Sequence, residues 1–581
     1  MQNHGVSGAR HGTRADLSVA VTGSGGSGAV TTGLVLLEAA GAMGLYGLMS
    51  RSSGPQIRGG ESAALLRFSD SPVDCLGDCF NILVGLDWLN VQRFVDEIPL
   101  AHQSLILADP AAGSVPGVLT ESGATVIACP LYELARSVPG GRVNMVALGV
   151  LGRLTGFSAD ALKRGVGKVL SRKGRETVDA ACSSIELGAA QTTLPEYTVQ
   201  LEPKRRSATR WSISGNEAAG LGALRGGVRF VAAYPITPAS EILEWLAPNL
   251  ERSGGALLQA EDELASINMV IGASFGGVPS LTATSGPGLS LMVEGLGLAV
   301  ASEIPLVVVN VMRGGPSTGI PTKSEQSDLN IALYGLHGDA PHLVLAPLSI
   351  SDCVVTTQWA VELAEQLQAP AIVLSDQSLG QSRAVTDEPV VERPHARRRL
   401  ATDAGAHYLR YEITADGVSA MALPGLAGGM YTADGLEHDE RGVPSSAARR
   451  HKSQSDKRLR KLERADFGDA WADISGSGAI CILTWGSVSG VALEAAARLE
   501  ASGMSIRVVA LRLIAPLQRV ALRAVLDEVE RVLVVEQNHG AQLFHYLHAE
   551  QALPDSAESL ARPGPLPIRP AEIIDAIRQG G

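Results

Sequence analysis

Residues 228–238 read Val-Arg-Phe-Val-Ala-Ala-Tyr-Pro-Ile-Thr-Pro. The apolar run 228–233 reads as a buried strand, and two prolines then bracket a threonine. Proline fixes φ, removes a donor and pushes the preceding residue out of the helical region. The turn is therefore stiff, and it holds Thr237 at the carboxyl end of a strand, where open α/β sheets bind ligands. Taken alone, these residues serve equally as a rigid strand-to-helix turn with Thr237 as the helix cap.

The surrounding block, 214–385, alternates strands with helices. Strands are expected at 229–233, 255–259, 280–284, 305–310, 343–346 and 371–375, which predicts a parallel sheet. An Ala/Gly helix over 215–225 leads into the first of them. Three features besides the proline turn follow strands of this sheet. Gln259-Ala-Glu261-Asp262-Glu263 opens an apolar helix. Its acids are either ordinary first-turn partners of the helix dipole, or include a carboxylate able to hold a proton and share it with a ring nitrogen. Thr282-Ala-Thr284-Ser285-Gly286-Pro-Gly288 is a turn of small residues. Asn310-Val-Met-Arg313 carries a lone arginine out of a buried strand and into a loop reaching Thr322 and Lys323. A guanidinium fork matches the two oxygens of a carboxylate. All four features are expected at one edge of one sheet.

A first block, 17–195, opens with a strand at 17–21 and the glycine turn Gly23-Ser-Gly25-Gly26-Ser-Gly28. Further strands are expected at 79–84, 104–108 and 125–128, with helices between them and hence a parallel sheet. Amides at a helix start suit a phosphate. An NAD site would need an acid after the next strand, and 45–53 has none; Arg51 leaves NADP open, and another phosphate-bearing ligand is equally compatible. The polar stretch Ser50-Arg-Ser-Ser-Gly-Pro-Gln56-Ile-Arg58-Gly-Gly-Glu61 is either a solvated loop or a ligand surface. A linker, 196–213, joins the blocks. Residues 386–475 form a charged connecting region with a basic run at 449–464, expected to be part ordered excursion and part solvated helix. A last block, 476–581, has strands expected at 479–484, 505–510 and 531–536. Its Glu536-Gln-Asn-His539-Gly either lines an interface or caps a turn.

Composition fits this α/β class: 581 residues, 45% hydrophobic, 65 glycines and a formal net charge of −12. That charge gives a nucleic-acid partner no electrostatic support. No apolar run is long and uninterrupted enough for a membrane span, and residues 1–16 read as a polar leader, so a cytoplasmic protein is expected. Six cysteines stand at 75, 79, 129, 182, 353 and 481. No CxxC occurs among them, which argues against a cluster or structural zinc in this chain; no metal ligand is assigned.

Together these motifs resemble the α subunit of the 2-oxoacid:ferredoxin oxidoreductases, in the fused form where a γ domain precedes the α domains, and within them the 2-oxoglutarate type. The resemblance runs from about residue 17 to 581. It adds Pro321-Thr-Lys-x-Glu-Gln-Ser-Asp-Leu329, Gly435-Leu-Glu-His-Asp-Glu-x-Gly442 and Lys457-Arg-x-Arg-Lys461 to the motifs above. It implies several doubly wound parallel-sheet domains, among them a pyrimidine-type thiamine-diphosphate domain and a transketolase C-terminal-like domain.

The implied chemistry is CoA-dependent oxidative decarboxylation of 2-oxoglutarate, or its reverse, on thiamine diphosphate, with electrons passing to ferredoxin. By resemblance Thr237 contacts the oxoacid and Arg313 pairs its carboxylate. Glu263, or Glu261 in its place, bonds the aminopyrimidine nitrogen. Pro235, Ile236, Ser285 and Gly286 line the cofactor, and Thr322 and Lys323 contribute to the substrate pocket. Gly25, Gly26, Gly28 and Arg58 are candidates for a CoA phosphate. The chain lacks both a Gly-Asp-Gly magnesium motif and cluster cysteines. The family assigns the diphosphate site with its Mg2+, and the [4Fe–4S] cluster, to a β subunit, so an (αβ)2 catalyst is expected. Pyruvate, branched-chain or aryl oxoacids are alternative substrates. A non-oxidative thiamine decarboxylase and a non-catalytic nucleotide-binding assembly protein are more distant readings.

Overall fold

A computed structural model describes residues 16–54, 60–89, 91–93, 95–191, 201, 210–320, 323–389, 397–405 and 407–580. Its centre is a seven-stranded sheet in the order Leu513–Ala515, Leu343–Leu345, Pro370–Asp376, Leu306–Met312, Ser280–Thr284, Phe230–Ala233, Ala256–Gln259. Apart from the first strand, every pairing is parallel. Sheets buried on both faces read as continuous apolar runs, and Leu306–Met312 (LVVVNVM) is buried along its whole length. The register sets Thr284 opposite Asn310 and Ala233 opposite Gln259, so the four strands that carry the motifs end on a common edge.

Helices cover the faces and start where their sequences say they should. Gly215–Arg225 begins with a capping box: Ser214 accepts from the Glu217 amide at 3.2 Å, while Glu217 accepts from the Ser214 amide at 3.0 Å. Such reciprocal bonds satisfy two amides that a helix start otherwise leaves orphaned.

The first block differs from a purely parallel sheet. Its sheet has eight strands, ordered Thr125–Ala128, Leu100–Ala108, Phe80–Gly85, Asp16–Ser24, Glu61–Ser69, Tyr46–Ser53, Arg383–Thr386, Trp211–Ser214. The first four are mutually parallel, but Glu61–Ser69 runs antiparallel between Asp16–Ser24 and Tyr46–Ser53. The polar serines and arginine of Tyr46–Ser53 made its end look like loop; they are ladder residues, alternately exposed and buried. Strands on either side of the central block, 211–214 and 383–386, then extend this sheet, so the two blocks share a backbone ladder.

The C-terminal sheet is ordered Ala472–Ser475, Ile506–Leu511, Ile480–Trp485, Arg531–Glu536, Glu558–Ala561, with only its first strand antiparallel. Its chain also sends Leu513–Ala515 across to the edge of the central sheet.

The connecting region is anchored by buried charge rather than left to solvent. Arg398 makes a two-pronged pair with Glu365, at 2.9 and 2.7 Å. The basic run forms helix Ala448–Glu463, and two of its lysines point inward. The Lys457 Nζ donates to both oxygens of the fully buried Glu303 at 2.6 Å, and Lys461 pairs with the same carboxylate at 2.5 Å. Arg410 donates to the Glu303 carbonyl at 2.8 Å. Burial opposes the Glu303 charge, but Lys461, Lys457 and Arg410 hold its carboxyl far below the usual range. Burial pushes the Lys461 ammonium down to about 7 against the pull of Glu303.

Removing one partner of a buried pair strands the other. Glu303→Gln is expected to lose about 3–5 kcal/mol in denaturant unfolding. Lys461 titrates at about 7 when folded, against an ordinary 10.5. Between those values the unfolded chain binds the extra proton, so this group's contribution to stability rises with pH across the window. Lys461→Met should flatten that rise in a series of unfolding midpoints; an unchanged slope would contradict the assignment.

Candidate active site at the carboxyl edge of the central sheet

The proline turn leads straight into a helix. The Ile236 carbonyl accepts from the Ala239 and Ser240 amides at 2.8 and 3.0 Å, and helix Ser240–Arg252 follows. Ala239 stands at the cap position, and no side chain caps this helix, so Thr237 is not its cap. Ile236 packs against the core, whereas Tyr234, Pro235 and Thr237 are exposed. From the next strand but one, Arg313 Nη1 donates to the Thr237 carbonyl at 2.7 Å. One hydrogen bond thus joins the two residues expected to meet an oxoacid. The Arg313 Nε is buried and has no hydrogen-bond partner among the described residues.

The three adjacent acids separate cleanly. Glu261 is exposed. Asp262 is the cap of helix Glu263–Phe275, its Oδ1 accepting from the Ala265 amide at 2.7 Å. Glu263 alone turns inward, 7% exposed. It lies beside Thr284 and Gly288: a Cβ on Gly288 would stand 2.0 Å from the Thr284 Oγ1 and 2.7 Å from a Glu263 carboxyl oxygen. Glycine is therefore required where the helix start passes the carboxylate. Ser285, at the cap position of helix Gly286–Ala301, is fully buried and its hydroxyl has no partner among the described residues.

Two further residues were not singled out by sequence reasoning. Asn310, fully buried near the end of its strand, donates to the Asp328 Oδ2 at 2.9 Å, and its own Oδ1 is unpartnered. The Asp328 carboxyl lies against Gly286, where a Cβ would meet both oxygens at 2.8 Å. Burial raises this carboxyl, and the Asn310 bond and the Arg313 charge pull it part of the way back. Neither Asn310 nor Asp328 carries a local sequence signal of its own.

Other candidates lie elsewhere. The Lys323 ammonium is taken up by the first block, by Ser52 at 2.8 Å and by Glu97 in an ion pair. Thr322 and Arg58 lie outside the described residues. In the glycine turn, Gly25 donates its amide to the Gly60 carbonyl at 2.5 Å, and Ser24 gives its amide and hydroxyl to Asp87. Those two amides are thus committed within the protein, while Gly28 keeps a left-handed conformation at the helix start, with φ 92°. Among the described residues no group of three or more His, Cys, Asp or Glu could hold a metal ion.

The donor set at the edge fits a cofactor with a protonatable ring nitrogen and a substrate bearing a carboxylate. A buried carboxyl, a hydroxyl and an arginine N–H, the last two without partners among the described residues, lie at one edge of the sheet. Comparison with known proteins agrees. Residues 221–457 match the family model described as pyruvate flavodoxin/ferredoxin oxidoreductase, thiamine diphosphate-binding. Residues 18–191 match pyruvate ferredoxin/flavodoxin oxidoreductase, and 472–549 the transketolase C-terminal domain. The 2-oxoacid:ferredoxin oxidoreductase subunit alpha of Saccharolobus solfataricus is 30% identical, over 90% of this chain and 92% of its own.

The chain belongs to the 2-oxoacid:ferredoxin oxidoreductase α-subunit family.

Within it, the 2-oxoglutarate synthase subunit KorA of Methanothermobacter thermautotrophicus is 36% identical over 63% of this chain and 97% of its own. A solved structure from Magnetococcus marinus superposes with a TM-score of 0.90 at 35% identity, covering 97% of this chain and 99% of that one. It is a 2-oxoglutarate:ferredoxin oxidoreductase with 2-oxoglutarate, coenzyme A and succinyl-CoA bound.

Gly288→Ala in this oxidoreductase subunit is expected to displace Glu263 while leaving the fold intact. Turnover of the assembled enzyme should fall by about 10²-fold, on the scale of a lost acid–base group, with a stability loss of about 1–3 kcal/mol from the added methyl. Retained turnover would mean that Glu263 tolerates the displacement and is not required in place.

Proposed function

We propose that this chain is the α subunit of a 2-oxoglutarate:ferredoxin oxidoreductase. Its partner is a β subunit that supplies the diphosphate site with Mg2+ and the [4Fe–4S] cluster, in an (αβ)2 assembly that reduces ferredoxin in the cytoplasm. The observation that carries this reading is the bond from Arg313 to the Thr237 carbonyl, at the same sheet edge as the buried Glu263. The 2-oxoglutarate assignment is supported by relatives named 2-oxoglutarate synthase and by the ligands of the Magnetococcus enzyme.

In this reading Arg313 presents its free N–H groups to the carboxylate at C1, and a planar fork fixes that end of the oxoacid. Thr237 stands beside it at the exposed tip of the turn, so its hydroxyl meets the carboxylate or the adjacent carbonyl. Its backbone is held by Arg313, so the two contacts are preset relative to each other rather than found anew on binding. Glu263 receives or donates a proton at the aminopyrimidine nitrogen, and burial keeps water from competing for that bond. Ser285 and Gly286, with Pro235 and Ile236, bound the space the ring occupies. Thiamine diphosphate, when bound, supplies the nucleophilic carbon and accepts the electron pair left by decarboxylation. Lys323, committed to Ser52 and Glu97, is not assigned to the oxoacid. The glycine turn, through Gly26 and Gly28, is offered for a phosphate of CoA.

The test is reconstitution with the β subunit and assay of CoA-dependent viologen reduction. Highest kcat/KM is expected with 2-oxoglutarate; preference for pyruvate or a branched-chain or aryl oxoacid would overturn the substrate assignment. Thr237→Ala and Arg313→Ala should each cost about 10²-fold in kcat/KM, and Glu263→Gln about 10²–10⁴-fold in kcat. Wild-type rates in an assembled complex would remove these roles.

A further inference from the structure

We propose that Glu97, in the first block, is a positioning residue for the oxoacid site: through Lys323 it fixes the loop that carries Arg313. This rests on the reading of Arg313 as the partner of the oxoacid carboxylate.

A guanidinium on a long, flexible stem is placed only as well as its tip and its backbone are held. The tip of Arg313 is held by the Thr237 carbonyl, at 2.7 Å. On one side its backbone is held by the Ser327 hydroxyl, which donates to the Arg313 carbonyl at 3.3 Å. On the other side the loop folds back beside it. The Gly314 carbonyl accepts from the Ile320 amide at 2.9 Å, and the Gly314 amide donates to the Lys323 carbonyl at 3.0 Å. The approach is close enough to require glycine, since a Cβ on Gly319 would stand 1.4 Å from the Gly314 carbonyl oxygen. These bonds make the loop compact, but they join it only to itself.

Lys323 ties the loop across to the first block. Its ammonium donates to the Ser52 hydroxyl at 2.8 Å and pairs with the Glu97 carboxylate. The two paired side chains are only 17% and 13% exposed, and an ion pair so shielded is screened less by salt than one on the surface. Glu97 is itself anchored. It ends the short turn Val95–Glu97 just ahead of strand Leu100–Ala108, and its carbonyl accepts from Arg569 Nη2 of the C-terminal domain at 3.2 Å. Arg569 also donates to the Gly77 carbonyl, and the helix that follows it, Pro570–Gln579, gives its Ala571 amide to Asp78 at 3.0 Å. A line of contacts therefore runs from the C-terminal domain through Glu97, Lys323 and Gly314 to Arg313.

A lysine in this loop has two possible uses, and they differ in what they require of Glu97. If Lys323 holds the loop, Glu97 is needed as much as Lys323 is. If Lys323 meets the oxoacid, Glu97 is incidental. Residues that act as one unit show losses that do not add, so the double variant separates the two cases.

The experiment uses the reconstituted αβ complex and CoA-dependent viologen reduction with 2-oxoglutarate varied, with melting temperature and subunit assembly as controls. Glu97→Ala and Lys323→Met are each expected to lower kcat/KM by about tenfold, the scale of a displaced binding group, with the change carried by KM. The double variant is expected to lose about tenfold as well, rather than a hundredfold. In an Arg313→Ala background Glu97→Ala is expected to cost nothing further, because the group it positions is gone; a general loss of structure would add to the defect. With Arg313→Ala impaired, three results overturn the proposal and leave the role of Arg313 standing: wild-type constants in Glu97→Ala, a Lys323→Met defect that Glu97→Ala does not share, or losses that add. If Arg313→Ala itself keeps the wild-type kcat/KM, the reading of Arg313 fails, and the proposal with it. Where Glu97→Ala does not assemble, Glu97→Gln takes its place, since it keeps an acceptor for Lys323 and removes only the charge. Failure of both to assemble also overturns the proposal, because the pair then serves the fold.

Discussion

Parallel pairing is the constraint on which the site depends. When strands run the same way, their carboxyl ends must share an edge, and whatever follows them is delivered there together. In the central sheet the four adjacent strands Leu306–Met312, Ser280–Thr284, Phe230–Ala233 and Ala256–Gln259 bring Arg313, Ser285, Thr237 and Glu263 to one rim. No long-range side-chain search is needed to assemble these groups. The ladder does it, and short-range chemistry then refines it. Proline stiffens the turn that carries Thr237, Asp262 caps the helix so that Glu263 faces inward, and glycine at 288 leaves the carboxylate room.

Much of this was legible because the signals are local. Buried parallel strands are apolar runs of four to seven residues, and the expected strand at 280–284 coincides with the observed one, as does helix Gly215–Arg225. Legibility failed where tertiary context decides. Tyr46–Ser53 and Glu61–Ser69 form a hairpin whose polar residues sit on ladder positions, and nothing in their composition separates an exposed ladder from a loop. The strands at 211–214 and 383–386 are short, and they exist because the first sheet offers them an edge. Lys457 and Lys461 sit in a run of charge that suggests solvent; only the distant Glu303 explains why they are buried. For the site, the sequence left Glu261 and Glu263 open, and the difference is one of burial. Asn310 and Asp328 carry no signal of their own, because their meaning lies in each other, eighteen residues apart.

The domain boundaries are bridged by polar contacts of a distinctive kind. The first and central blocks share a continuous backbone ladder, which resists sliding because every register shift breaks several bonds at once. The C-terminal domain is held by a shorter ladder, Leu513–Ala515 on Leu343–Leu345, and by side-chain amides that donate and accept on both sides of residues 326–330. Amides suit this task, since each offers donors and an acceptor without the desolvation penalty of a charge. The strand end that supplies them is itself fixed: Glu536, fully buried, accepts from the Leu543 and Phe544 amides and from Asn538. A stretch that could be read as a capped turn or as an interface is both at once.

The unpartnered polar atoms at the rim bear on how the site is kept ready. Buried donors and acceptors left unmade cost about 1–3 kcal/mol each, and folded proteins seldom leave them so. Ser285 Oγ, Asn310 Oδ1 and Arg313 Nε are three such atoms within one site. They are tolerated because their surroundings are over-determined: a seven-residue buried strand, a sixteen-residue helix and a loop clasped by another domain. The stability that the parallel core and its interdomain clasps provide is what permits polar groups to wait, oriented, for partners the chain does not itself contain. The same rigidity explains the separation of labour between domains. The groups at the rim lie on the central sheet, while side chains that clasp the adjoining segment 326–330 lie in the C-terminal domain.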